Sequence, residues 1–188
     1  MKRFSCALAL VLALGAQAAE PTPCTLEAWS TGTTPAERRI HAGPGADTPV
    51  ITTMPAPIEF AGFTFRVTLT ITEARDGWFR VSLAMADNPI LDALPSIVFK
   101  GDGWVSGEYL GLVLNHVHLY AEPSGEAAVV AKLAALDEDG VLWGSDSTVV
   151  TRLLDCRGDW VSLEGTLLGR EVRGWTTGTC ANQVTTCP

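Results

Sequence analysis

The chain has 188 residues, with 13 Lys and Arg against 21 Asp and Glu, and a formal net charge of −8. This acidic balance argues against nucleic-acid binding, because phosphate contacts need a cationic surface. Only 18% of the residues are charged, which excludes a coiled coil, and six Trp with 47% hydrophobic residues exclude disorder. The 18 Gly and 11 Pro indicate a turn-rich β protein of one mid-sized domain or two small ones.

The first twenty residues have the three parts of a secretory signal peptide. Lys2 and Arg3 form a basic start, residues 4–14 are apolar, and Ala16-Gln17-Ala18 is a small-x-small cleavage site. The apolar run is shorter than the about 20 residues that span a membrane, so we expect a cleaved signal over residues 1–19 and no transmembrane anchor. The predicted mature protein is periplasmic or secreted, and without two positive charges its net charge becomes −10.

Four cysteines remain after the predicted cleavage: Cys24, Cys156, Cys180 and Cys187. An even number in an exported chain indicates two disulfides, for which the sequence alone allows three connectivities. The short loop between Cys180 and Cys187 favours that pair, which leaves Cys24 for Cys156. Structural zinc sites bring cysteines in close pairs such as C-x2-C, and this chain has none, so disulfides are favoured over zinc.

Alternation of apolar and polar residues predicts β-strands along most of the chain. The clearest is residues 63–72, where period two over ten residues is typical of a half-buried strand. Asp76-Gly77 supplies a turn and residues 78–83 resume the alternation, which predicts a hairpin. Further short β runs follow at 98–100, 104–105, 113–120, 141–143, 148–154, 160–163 and 172–176.

Two segments have a helical composition, residues 88–94 and 126–136, and the second is rich in good helix formers. An internal repeat decides against the second helix. Residues 40–54 match residues 119–133 at a constant offset of 79, residues 76–83 match 157–163, and the G-W motif at 103–107 matches that at 174–178. Three elements recur in the same order, and a repeat outweighs local propensity, so residues 129–133 are predicted to be a strand.

These motifs resemble those of bacterial Src-homology-3 domains, the small β barrels of cell-wall and periplasmic proteins. RIHAGPG at residues 39–45, DGWFRV at 76–81 and GWVSGEYL at 103–110 stand for the three elements of that family. The resemblance implies an all-β chain of two such barrels in tandem, residues 20–112 and residues 113–188. The first would carry a short helical or irregular insertion at residues 86–97, and the second a disulfide-closed C-terminal tail.

The repeated tryptophans are candidates for a ligand groove of the kind that binds peptides. Trp78 and Trp160 lie within alternating strands, which favours packing inside or between the barrels. The two that follow glycine near a barrel edge are better candidates, together with two nearby tyrosines. The predicted groove residues are therefore Trp104, Tyr109, Tyr120 and Trp175.

Motifs for catalysis, metal binding or a cofactor are not found in the sequence. His116 and His118 share a strand face but lack a third ligand in the sequence, and residues 137–140 lack the later ligands of a calcium loop, so they predict a hairpin turn. No G-x-S-x-G elbow or glycine-rich phosphate loop occurs, and Cys156 is better used in a disulfide. We expect a protein that is not an enzyme and needs no cofactor or metal.

The resemblance implies a non-catalytic exported module that binds a cell-wall peptide or a segment of an envelope protein. An acidic surface favours amine-bearing or basic ligands. The alternative is a periplasmic inhibitor or immunity-type protein that blocks a basic envelope enzyme, with the insertion around residues 89–95 as its wedge.

Overall fold

The computed structural model describes residues 21–88 and 93–187, apart from the side chains of Asn88, Ala93 and Leu94. The predicted signal peptide, residues 1–19, and the insertion residues 89–92 lie outside this part of the chain. Within the described residues, no helix has the length and apolar character needed to cross a membrane.

Strands make up most of the described chain. In the first half, residues 21–112, they are β1 (Thr22–Ser30), β2 (Arg39–His41), β3 (Val50–Thr53), β4 (Ile58–Phe60), β5 (Phe63–Phe65), β6 (Thr68–Arg75), β7 (Trp78–Asn88), β8 (Ala93–Ser106) and β9 (Leu110–Gly111). In the second half, residues 113–187, they are β10 (Val113–Leu114), β11 (His118–Tyr120), β12 (Val129–Lys132), β13 (Ala135–Leu136), β14 (Leu142–Trp143), β15 (Val149–Arg157), β16 (Trp160–Leu167), β17 (Arg170–Thr176) and β18 (Thr179–Cys180). The only helices in the described ranges are 3-10 turns at Gly107–Tyr109 and Ser145–Ser147, which confirms the all-β class.

Two antiparallel sheets dominate the fold, and they repeat one strand order. The larger sheet has the order β3-β2-β8-β7-β6-β1-β9, and the smaller has β12-β11-β17-β16-β15. Five strands therefore follow the same path in both halves. The register agrees as well, because Arg39 opposite Thr53 in the first half corresponds to His118 opposite Lys132 in the second, at the offset of 79. Residues 129–132 form strand β12, as the repeat predicts.

Buried apolar side chains of both halves form one continuous core. It joins Ile40 and Phe79 of the first half to Leu119 and Leu153 of the second. A Cβ on Gly107 would overlap the carbonyl oxygen of Leu153, so glycine is required where the halves meet. The expected division into two separate barrels is not confirmed, because the packing shows a single core that both sheets cover.

Disulfides join the cysteine pairs expected from the sequence. Cys24 and Cys156 are bonded across the two halves, with an Sγ–Sγ distance of 2.01 Å, and Cys180 is bonded to Cys187 in the C-terminal tail. Next to the first bridge, the N–H of Gly158 donates to the carbonyl of Pro23 at 3.0 Å. The N-terminal end of β1 is therefore attached to the β15–β16 turn by covalent and hydrogen bonds.

The predicted strand at residues 63–72 is two strands that belong to different sheets. β5 pairs with β4, whereas β6 lies between β1 and β7. At the break between them, the side-chain amide of Gln183 donates to the carbonyl of Arg66 at 3.0 Å and accepts from its N–H at 2.8 Å. The C-terminal tail thus supplies at Arg66 the backbone hydrogen bonds that a neighbouring strand would otherwise make. The alternation of apolar residues continues across the break because β5 and β6 are both half-buried.

The described parts of the insertion are strands, so the expected helix is not confirmed. β7 continues to Asn88 and β8 begins at Ala93, and these two residues lie opposite each other. Cross-strand pairs such as Ala86 with Ser96 extend the hairpin, because backbone pairing along two long strands outweighs a weak local helix propensity. The counterpart hairpin β16–β17 has no such extension: β17 spans 7 residues and β8 spans 14.

Candidate functional site

The first G-W motif lies where its strand passes closely over a neighbouring strand. A Cβ on Gly103 would overlap Cγ2 of Ile40, so only glycine lets β8 approach β2 at this point. The next residue, Trp104, is thereby placed opposite His41. The second-half equivalents of these four residues are Gly174, Leu119, Trp175 and Tyr120. The motif therefore has a structural role in both halves.

Aromatic side chains form a small cluster on the outer face of the first sheet. The guanidinium carbon of Arg75 lies 5.9 Å from the centre of the Trp104 ring, a cation–π contact. His41 meets Trp78 edge-on, with ring centres 5.3 Å apart. Trp104 is only 8% exposed, so its ring is packed rather than presented to a ligand.

The second half repeats this cluster contact by contact. Arg157 lies 5.4 Å from the Trp175 ring, and Tyr120 meets Trp160 edge-on at 5.6 Å. His118 also belongs to this cluster, because its ring centre lies 6.2 Å from that of Tyr120. Contacts that recur in both copies of a repeat are the ones that the scaffold itself uses. The recurring edge-on contacts place Trp78 and Trp160 against neighbouring strands, although both side chains keep part of their surface in solvent.

The four predicted groove residues are divided between the halves. Tyr120 and Trp175 lie side by side on β11 and β17 of the second half, each half-buried. Trp104 is buried in the first-half cluster. Tyr109, in the 3-10 turn after β8, is half-buried and borders a cavity of the first half.

This cavity, which we call the acidic groove, has a volume of about 260 Å³. It is lined by the loop before β2, by β2 itself, by the start of β7 and by the turn after β8. Its polar and aromatic residues are Glu37, Arg39, His41, Trp78, Ser106, Glu108 and Tyr109. The volume lies just below the usual range for small-molecule pockets, about 300 to 1,000 Å³, and suits one long side chain.

Glu37 is fixed at one end of the groove by its own loop. Its Oε2 accepts hydrogen bonds from the backbone N–H of Thr33 at 2.7 Å and of Thr34 at 3.0 Å, and from the Thr33 hydroxyl at 3.0 Å. The hydrogen bonds from the N–H groups of Thr34 and Thr33 lower the pKa of Glu37, because they stabilise the charged form. Glu37 is therefore charged at neutral pH, in a groove that Arg39 of β2 also lines.

Glu108 and His41 complete the polar lining. The Glu108 carboxylate is half-exposed and lies 3.8 Å from Arg152 of β15, so solvent and this distance keep the ion pair weak. His41 Nδ1 donates to the carbonyl of Thr48 at 3.0 Å, since a carbonyl can only accept. Glu108 is therefore an exposed carboxylate of the groove that Arg152 engages only weakly.

The second half lacks these carboxylates at the corresponding positions. At the offset of 79, His116 replaces Glu37 and His118 replaces Arg39. At the offset of 71 that relates β8 to β17, Thr179 replaces Glu108 and Cys180 replaces Tyr109. The repeated strand order therefore forms in the second half without either acid, so these carboxylates are not part of the repeated scaffold.

Of the groove residues, sequence reasoning identified only Tyr109 as a candidate. Glu37 and Glu108 were missed, and Trp78 was assigned to packing. The signal that finds them is the repeat itself: acids that occur in one copy and not in the other are free of the shared structural role. His116 and His118, the other chemical candidates, have no metal site around them among the described residues.

Comparison with known proteins gives no match for this chain. No protein-family model matches it, and neither a curated protein nor a solved structure does. The resemblance to bacterial Src-homology-3 domains therefore rests on the sequence motifs alone.

Proposed function

We propose that the chain is a non-catalytic binding module of the cell envelope, a diverged pair of bacterial-type Src-homology-3 domains that share one core. Its ligand is a peptide segment with an amine-bearing side chain, held in the acidic groove. The observation that carries this proposal is the convergence of Glu37, Glu108, Trp78 and Tyr109 on one cavity, whereas the corresponding positions of the second half have neither acid.

The lining suits a lysine-like side chain in both of its parts. Aromatic rings such as Trp78 and Tyr109 cover an alkyl stem and attract a cation through their faces. The carboxylates of Glu37 and Glu108 then hydrogen-bond the ammonium group. A groove of this size gives modest affinity, about −5.5 to −7 kcal/mol, which corresponds to a Kd of about 10 to 100 µM.

The envelope setting is supported by the predicted signal peptide and by the two disulfides, which persist in oxidising compartments. Cell-wall stem peptides carry diamino acids, and so they offer the free amine that the groove favours. A basic segment of another envelope protein offers the same group, and the resemblance implies one or the other.

Retention on purified peptidoglycan and on immobilised envelope proteins tests the proposal. We expect the mature chain to be retained by at least one of them, and Glu37→Gln with Glu108→Gln to weaken retention about tenfold, since charged hydrogen bonds are lost. Glu122→Gln with Glu126→Gln is the matched control, because these acids are exposed and lie in the second half. No retention on either material would refute the proposal, as would equal losses in the two double variants.

The inhibitor alternative is favoured by one specific feature, the extension of the β7–β8 hairpin. β8 is twice as long as its counterpart β17, and Ile97 on it is among the more exposed large apolar residues. A projecting hairpin of this kind resembles the wedge expected of an enzyme inhibitor. In that case the chain binds one basic envelope enzyme tightly and at 1:1 stoichiometry. Replacing residues 87–95 by Asn-Gly then abolishes inhibition and leaves the far-UV circular dichroism unchanged.

A further inference from the structure

The β13–β14 hairpin presents a pair of leucines to solvent. Leu136 and Leu142 lie directly opposite each other on antiparallel strands, so their side chains share one face. They are 65% and 69% exposed, more than any other large apolar residue of the described chain. Val141, beside them, is also exposed. We call residues 135–143 the leucine hairpin.

The leucine hairpin is ordered by a single aspartate. Asp137 Oδ1 accepts from the N–H of Val141 at 2.8 Å and of Asp139 at 3.0 Å, and its Oδ2 accepts from the Trp143 indole at 2.7 Å. Gly140 has a φ of 79°, which closes the turn. The turn predicted for residues 137–140 is thus present. The exposed leucines therefore flank a turn that is already ordered. Binding a partner then costs little conformational entropy in the hairpin.

The equivalent hairpin of the first half has the same arrangement. Phe60 and Phe63 lie opposite each other on β4 and β5 and are 43% and 42% exposed. A solvent-facing apolar pair therefore occurs in both copies, and by itself it belongs to the repeated scaffold. The leucine pair differs in being more exposed than the phenylalanine pair.

Charge distinguishes the leucine hairpin and indicates what occupies it. Residues 133–151 contain four acids, Asp137, Glu138, Asp139 and Asp146, and no lysine or arginine. An anionic membrane surface is repelled by these acids, and a second copy of the same hairpin would bring like charges together. A partner with an apolar surface flanked by cations complements both the leucines and the acids of the hairpin.

We propose that the leucine hairpin is a docking surface for a basic amphipathic segment of a partner protein, one with an apolar stripe flanked by lysines or arginines. Leu136 and Leu142 pack on the stripe, and Glu138 and Asp139 face the cations. This surface is formed by residues outside the acidic groove, so it adds a second contact to the proposed binding module.

Titration of the 15N-labelled mature chain with model peptides tests this docking. The probe is a helical Leu/Lys peptide of about 18 residues, or five turns, and the matched probe is its Leu/Glu counterpart. The chain carries Glu37→Gln and Glu108→Gln to weaken binding in the acidic groove. The reporter is the indole N–H resonance of Trp143, which is assigned with Trp143→Phe.

We expect the Leu/Lys peptide to shift this resonance and the Leu/Glu peptide to leave it in place. Leu136→Thr with Leu142→Thr should weaken binding about tenfold or more, as loss of central apolar contacts does. Threonine keeps the strand propensity at these exposed positions. Phe60→Thr with Phe63→Thr is the control and should bind like the parent chain.

Five outcomes would overturn the proposal. Equal binding of both peptides is one, and unchanged binding after the leucine substitutions is another. A third is a concentration-dependent dimer in sedimentation that the leucine substitutions abolish, since it assigns the surface to a second copy. The fourth is leucine-dependent binding to lipid vesicles. Shifts confined to Trp78 and Tyr109 also contradict docking here and leave the acidic groove supported.

Discussion

Removal of the Cys24–Cys156 bridge is predicted to destabilise the whole molecule in one step. The bridge connects residues 132 apart, whereas Cys180–Cys187 connects residues 7 apart. If a disulfide acts through the entropy of the unfolded chain, these loops are worth about 5 and about 2.5 kcal/mol. Burial of Cys24 and Cys156 in the core adds a packing loss in the same direction.

Thermal unfolding of the two double alanine variants measures this difference. For a chain of this size, each kcal/mol corresponds to about 2 to 4 °C, so we expect Tm to fall about 10 to 20 °C without the long bridge and about 5 to 10 °C without the short one. Because both halves share one core, near-ultraviolet circular dichroism and tryptophan fluorescence should report one coincident unfolding transition. Two separate transitions would show that the halves fold independently, and an equal loss of Tm in both variants would contradict the loop-length argument.

Two further predictions concern glycine and aspartate positions. Gly103→Ala and Gly174→Ala should each cost about 1 to 3 kcal/mol in urea unfolding, because the new methyl groups overlap neighbouring strands, whereas Gly125→Ala, with open space around it, should change stability little. Hydrogen bonds from the Trp143 indole and from backbone N–H groups lower the pKa of Asp137 in the folded chain. Its charged form therefore stabilises the fold above the unfolded pKa, and this contribution is lost as pH falls through the folded value. Asp137→Asn should accordingly be less stable than the parent at neutral pH, and the difference should narrow at about pH 2.

Local patterns in the sequence were sufficient for most of the strands. The alternation of apolar and polar residues predicted the β6–β7 hairpin, because the strand that begins at Trp78 is buried on one face. The repeat located β12 in spite of its helix-forming residues, since Val129 to Lys132 must pair with β11 as β3 pairs with β2. The even number of cysteines predicted two disulfides, and the short loop between Cys180 and Cys187 predicted which cysteines pair.

Long-range packing accounts for what the sequence did not show. The break in residues 63–72 depends on Gln183, whose amide pairs with Arg66 across 117 positions of the chain. The shared core depends on the packing of β15 against β1, which the sequence indicated only through the predicted Cys24–Cys156 bridge. The acidic groove brings Glu37 next to Tyr109, two residues that strands β2, β7 and β8 bring together only in the folded chain.

The central claim, that the acidic groove binds an amine-bearing peptide, is tested most directly by chemical-shift mapping with a lysine tripeptide and its norleucine isostere. The repeat supplies an internal control, because in the second half Trp160 occupies the place of Trp78 and Tyr120 occupies the place of His41. We expect the lysine peptide to shift the signals of Trp78 and Tyr109 with a Kd of about 10 to 100 µM and the norleucine peptide to bind at least about tenfold more weakly. Equal binding of the two peptides, or shifts of the same size at Trp160 and Tyr120, would contradict the account.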